Sequence, residues 1–128
     1  MVSIYDKLER DIVFFDVETT GVDIKRDRII EISAVKYTKD KTKLTYQKYF
    51  NPEIPISQSA IDVHGLTNEF LSQFKPFKNS CDELYEWFKD CDLGGYNCIA
   101  FDIPILFEEF SRCDKKPNWF NINIIDSY

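Results

Sequence analysis

The run DIVFFDVE at residues 11–18 is apolar on both of its alternating faces and then closes on two acids. A strand of that kind lies centrally in a sheet and is covered on both sides. Side chains repeat every second residue along a strand, so Asp16 and Glu18 project from the same face. Two like charges placed together are unfavourable unless a cation sits between them. Hard carboxylate oxygens suit Mg²⁺ or Mn²⁺ better than zinc. The plainer account is a pair of solvated acids at a strand end, and the pair alone does not separate the two. Thr19-Thr20-Gly21 then forms a tight exit loop whose backbone amides are in reach of a phosphate or sugar.

Around this strand the chain reads as one domain of 128 residues. IIEISAVKY at 29–37 and LTYQKYF at 44–50 are two further strands, and with the first they predict an antiparallel meander. Lys39, Lys41 and Lys43 fall in the connection between them, read as a solvated turn rather than a phosphate-binding patch. Residues 58–64 predict a short helix stopped by Gly65, and Thr67 caps another. Ser80 and Glu83 have capping-box spacing, followed by a helical face of Cys81, Leu84, Tyr85, Phe88 and Cys91. Gly94 and Gly95 open a predicted strand, YNCIAF. Asp102 starts a helix with Pro104 in its first turn and a buried stripe of Ile103, Leu106, Phe107 and Phe110. A carboxylate there serves either as a helix cap or as a ligand at the sheet edge. INII at 122–125 is the last strand, with Asp126 and Ser127 as the cap of a helix that does not follow. The order of elements predicts an α/β fold, a mixed sheet with helices on its faces.

Composition excludes several classes. Apolar residues make up 44%, with eleven phenylalanines, seven tyrosines and two tryptophans, which is core material that a disordered chain lacks. No apolar run approaches the ~20 residues of a membrane span, and MVSIYDKLERD has no apolar stretch of a signal peptide. A cytoplasmic protein with no membrane partner is expected. The net charge of −6 argues against a broad basic face for nucleic acid, though not against an acidic pocket neutralised by metal ions. Cys81, Cys91, Cys98 and Cys113 contain no C-x-x-C pair, so free thiols are expected rather than zinc or disulfides.

Taken together, the segments are more specific. FDVETTG at 15–21 resembles the first motif of the DEDD 3′–5′ exonuclease superfamily, the proofreading type of the bacterial replicase epsilon subunit. IIEISAV at 29–35 resembles its second strand. NPEIPISQSAIDVHGLTNEFL at 51–71 resembles its substrate-side loop and helices, and GYNCIAFDIPIL at 95–106 its second motif, which more often reads G-H-N. The resemblance spans about residues 11 to 128. It implies a ribonuclease-H-like fold and hydrolysis of phosphodiester bonds at a single-stranded 3′ end. It also implies two Mg²⁺ or Mn²⁺ ions and a DNA polymerase as an additional partner. Carried over by position, Asp16, Glu18 and Asp102 are the catalytic metal carboxylates. Thr19, Thr20, Gly21, Val63 and His64 fall around the terminal nucleotide, and Asn97 and Phe101 near the scissile end; a splayed base suits an aromatic wall. Asp126 takes a supporting position.

The third motif of that family, H-x₄-D or Y-x₃-D, supplies the general base and a fourth carboxylate. Neither is found. The single histidine is His64, and although Glu69 lies five residues on, Gly65 separates them and the pair precedes the second motif. The expectation is therefore an exonuclease domain over 1–128, truncated before its third motif, lacking its C-terminal helix or helices and weak or inactive by itself. Two alternatives remain: a non-catalytic nucleic-acid-binding domain of the same fold, and a haloacid-dehalogenase-like phosphatase. For the latter, Glu18 stands where an aspartate is needed and GYNCIAFD has no place.

Overall fold

The computed structural model describes residues 3–127; Met1, Val2 and Tyr128 lie outside the described residues. Its strands are β1 (Ile12–Thr19), β2 (Ile29–Tyr37), β3 (Lys43–Tyr49), β4 (Asp92–Gly95) and β5 (Ile124–Asp126). They form one mixed sheet in the order β3-β2-β1-β4-β5. β1 to β3 are the expected antiparallel meander. β4 and β5 run parallel to β1, which places β1 at the centre. Val13, Phe15 and Val17 turn to one face, where helices α3 (Cys81–Phe88) and α4 (Ile103–Arg112) supply Leu84, Phe88, Leu106 and Phe110 to a common core. Phe15 and Phe88 meet edge to face with ring centres 5.3 Å apart, the arrangement their quadrupoles favour. The opposite face of β1 is less covered than its apolar run predicts. Phe14 is half-buried there, and Asp16 is exposed.

Two short helices, α1 (Gln58–His64) and α2 (Asn68–Leu71), dock on the end of β2 through a smaller cluster of Ile30, Ile56 and Leu71. Their ends are fixed locally. Ser57 accepts from the Ala60 N–H, Gly65 closes α1 at φ 74°, and Thr67 accepts from the Phe70 N–H. The last two are as the sequence predicts.

Several expectations are corrected. The strand before α4 is Asp92–Gly95, not YNCIAF, and residues 98–102 form a single π-helical turn leading into α4. The cause is steric: a Cβ on Gly94 would meet the Phe14 ring at 2.5 Å, and one on Gly95 the Phe15 carbonyl at 2.8 Å. The glycines let β4 press against β1, and Asn97, at φ 53°, turns the chain out. Ser80 makes no capping box, since it ends a 3₁₀ turn that runs straight into α3 and its hydroxyl faces Tyr46. Glu83 instead accepts from the Tyr46 hydroxyl. Cys91 is buried but lies beyond α3. β5 starts two residues later than INII, and Ser127 extends its ladder by donating to the Gly95 carbonyl rather than capping a helix. Lys39 and Lys41 are exposed in the β2–β3 turn, as expected. The four cysteines are free.

The buried stripe of α4 is also rotated from its predicted position. Phe107 is 37% exposed, while Ile105 and Glu109 are buried. Glu109 is drawn inward by its partners: it accepts from Arg28 Nε at 3.0 Å, the Ile29 N–H at 2.8 Å and an Arg112 guanidinium N–H at 2.9 Å. Burying an ionised carboxylate is costly, and ion pairs and hydrogen bonds to both oxygens offset that cost. Glu109→Ala is expected to destabilise the fold by about 3 kcal/mol, the lower end for a broken buried ion pair because both guanidinium groups reach water. Urea unfolding monitored by tryptophan fluorescence measures it.

Candidate active site

The loop leaving β1 is stitched to itself. Thr20 exchanges backbone hydrogen bonds with Arg28 and Ser57: its N–H donates to the Arg28 carbonyl, and its carbonyl accepts from the Ser57 N–H. Its hydroxyl donates to Asp27 at 2.8 Å and accepts from the Arg28 N–H at 3.0 Å. The Thr19 hydroxyl donates to the Gly21 carbonyl. A Cβ on Gly21 would meet the Asp27 carboxylate at 2.6 Å, so glycine is required there. Arg112 closes the loop from α4 by donating to the Lys25 carbonyl at 2.9 Å.

Between this loop and α1 lies a cavity of about 810 Å³. Glu18, Thr19, Thr20, Gly21, Val63 and His64 line it. The hydroxyls of Thr19 and Thr20 and the Thr20 N–H are committed within the loop and shape the cavity. Asn97 and Phe101, expected near the scissile end, are not in its lining, and Phe101 packs against the main core. The walls are aliphatic, with Val22, Ile54, Pro55, Ile56 and Ala60 and no Phe, Tyr or Trp, so the expected aromatic wall is absent among the described residues.

His64 ties α1 to β1. Leu66 N–H donates to Nδ1 at 3.0 Å, which leaves Nε2 to donate to the Thr19 carbonyl, also at 3.0 Å. Both ring nitrogens are thereby engaged, and the ring holds the cavity wall beside Glu18.

The acids meet at the C-terminal end of β1. Register puts Asp16 opposite Ser33 and Glu18 opposite Glu31, on the same sheet face. Asp102 is 6% exposed, yet its side chain makes no cap for α4. One oxygen, Oδ2, is buried with no hydrogen-bond partner. Burial pushes its pKa up to about 7, with Asp16, Glu18 and Asp126 raising it further and a backbone hydrogen bond from Val17 opposing them. Burial and then Asp16 also raise Glu18, His64 pulls it down, and Glu31 raises it. Three carboxylates separated in sequence thus repel one another at one place, and the cap reading of Asp102 is set aside. Asp126 accepts from the Ile99 N–H at 3.1 Å and so holds the turn that presents Asp102.

These residues fit a hard divalent cation in donor type and charge. A buried carboxylate oxygen without a partner, beside two more carboxylates, is the environment a cation relieves. Among the described residues, no three His, Cys, Asp or Glu side chains are gathered closely enough to enclose a metal ion by themselves. Any ion here must draw the carboxylates inward or complete its shell with water or substrate oxygens.

A family model described as Exonuclease (RNase_T) matches residues 13–128. The chain belongs to this exonuclease family. Divalent metals are general to DEDD-type exonucleases. The exonuclease domain is 32% identical over 124 residues to the DNA polymerase III subunit epsilon of Buchnera aphidicola subsp. Schizaphis graminum, covering 91% of this chain and 53% of that one. It is 30% identical over 106 residues to the PolC-type DNA polymerase III of Mycoplasma genitalium, covering 82% of this chain and 7% of that protein. The chain thus spans about half the length of the one relative and a small part of the other. Its fold matches Escherichia coli exonuclease I, solved in complex with a dT13 oligonucleotide, at a TM-score of 0.80 and 19% identity, over 92% of this chain and 28% of that one. The architecture is the ribonuclease-H-like one. No helix among the described residues is long and apolar enough to cross a membrane.

Sequence reasoning missed Asp27, Arg26 and Glu109. A glutamate three and four residues after Leu106 and Ile105, on the apolar stripe of a helix, is the signal that Glu109 is buried.

Folded Asp102 holds its proton to about pH 7, whereas its ordinary value is 3.8. Metal-free stability therefore falls as pH rises through that window, and the full penalty is present above it. Asp102→Asn is expected to raise the melting temperature in EDTA at pH 8 by roughly 5–10 °C, on the order of 2 kcal/mol. The gain should vanish near pH 3.5. Thermal unfolding at the two pH values checks it.

Proposed function

We propose that this domain is the carboxylate-bearing part of a two-metal 3′–5′ exonuclease that acts on single-stranded DNA, of the proofreading type. The observation that carries the reading is the buried, unpartnered oxygen of Asp102 beside Asp16 and Glu18. A non-catalytic domain of the same fold has no use for such a group, since an unsatisfied buried oxygen lowers stability.

In this reading Asp16, Glu18 and Asp102 hold two divalent ions, Mg²⁺ or Mn²⁺. When bound, these ions supply water activation and charge relief at the leaving 3′-oxygen. The protein's own residues then do the positioning. The acids fix the scissile phosphate at the end of β1. The cavity bounded by Thr20, Gly21, Val63 and His64 receives the terminal nucleoside and excludes water around it. His64 holds α1 against Thr19, so the wall facing the sugar stays in register with Glu18. His64 is the single histidine of the chain, and its two ring nitrogens are engaged by Leu66 and Thr19. The reading accordingly assigns no general base and no fourth carboxylate among these residues.

The relatives named as DNA polymerase III subunits support a polymerase as partner, and the oligonucleotide-bound neighbour supports single-stranded DNA as substrate. A cytoplasmic location is part of the same proposal. With Mn²⁺, the native polypeptide is expected to shorten a 5′-labelled single-stranded oligonucleotide from its 3′ end, releasing mononucleotides. Asp16→Asn should abolish this while leaving the circular-dichroism spectrum unchanged. Degradation that persists in the variant would falsify the assignment.

A further inference from the structure

Four cationic side chains surround the loop that walls the cavity, and three are tied down. Lys25 pairs with Glu108 at 2.7 Å, Arg28 with Glu109 at 3.0 Å and Arg112 with Glu109 at 2.9 Å. Arg26 is different. It lines the cavity, is exposed, and alone of the four has no side-chain partner among the described residues. Its backbone is nonetheless fixed: the Arg26 and Asp27 N–H groups both donate to the Asp23 carbonyl, at 3.1 and 2.7 Å. The guanidinium thus stands on a rigid turn, on a space walled by Val22, Ile54, Pro55, Ile56 and Ala60 and by acidic side chains.

The chemistry of that space narrows what Arg26 meets. Glu18 marks the end of the cavity next to the carboxylates, so a phosphate under attack lies there. Beyond that phosphate, a nucleotide at a 3′ end has only its sugar and base. Glu18, Asp23 and Asp27 also line the cavity, so it disfavours an anion. A base needs apolar walls, a flat partner and donors for its ring nitrogens and carbonyls. With no Phe, Tyr or Trp in the lining, and with both ring nitrogens of His64 already engaged, the Arg26 guanidinium supplies a plane and free donors together.

We propose that Arg26 recognises the terminal base, its plane packing on the base and its N–H groups donating to the base edge. This rests on the exonuclease reading above. Arg26 is thereby a specificity residue: it favours an end that carries a base and is tolerant of which base it is.

The test is fluorescence anisotropy with the native polypeptide in CaCl₂, using a 5′-fluorescein oligothymidylate and the same strand ending in an abasic nucleotide. Wild type should bind the base-bearing end more tightly. Arg26→Ala should weaken that binding about tenfold, the size of a lost base-stacking contact, and leave the abasic strand unaffected. Arg26→Lys, which keeps the charge and loses the plane, should behave like the alanine variant. The proposal is overturned if both variants retain the preference for a base, or if wild type has none. It is equally overturned if Arg26→Ala weakens both strands alike and lowers the salt slope by ~0.7, the mark of a phosphate contact. Wild type that binds neither strand overturns the exonuclease reading itself.

Discussion

A carboxylate kept out of water with one oxygen unbonded is the constraint around which this domain is arranged. Asp102 stands at the start of α4 but makes no cap, because the π-helical turn before it runs straight into the helix and holds its backbone in helical conformation. It cannot reach solvent, because it lies at the seam between α4 and β1. Its neighbours at that seam are Asp16 and Glu18, which raise its energy further. Marginal stability tolerates such a feature where it serves chemistry, and the rest of the scaffold holds it in place.

Much of that holding is indirect. Asp126 grips the turn before α4 through the Ile99 N–H. Glu109, one helical stripe further along α4, gathers Arg28, Arg112 and the Ile29 N–H. Arg112 in turn grips the loop through the Lys25 carbonyl. One helix therefore presents Asp102 at its start and anchors the cavity wall near its end. From the far side His64 fastens α1 to the carbonyl that follows Glu18. Cavity and carboxylates are fixed relative to each other by hydrogen bonds that touch no substrate.

The sequence made legible whatever depends on short-range periodicity. The alternation in DIVFFDVE and IIEISAV predicts the meander and the shared face of Asp16 and Glu18. Gly65 and Thr67 mark helix ends where the structure has them. It misled where distant packing overrode local pattern. Gly94 and Gly95 look like the opening of a strand, but they end one, because Phe14 fills the space above Gly94. YNCIAF looks like a strand, but Asn97 breaks it. Thr19 and Thr20 look free to meet a ligand, yet Gly21 and Asp27 consume their hydroxyls. No local signal in Arg26 separates it from Arg28; only the fold shows that one is paired and the other is not.

The π-helical turn at Cys98–Asp102 has one further consequence. Such a turn accommodates one residue more than an α-helical turn does. Each residue of an α-helix advances the azimuth by about 100°, so the extra one sets the rotational phase at which α4 begins. Shortening this segment by a single residue would swing either the acid away from β1 or the Glu109 stripe away from the loop. Length in this stretch is therefore as tightly specified as the identity of the side chains it carries.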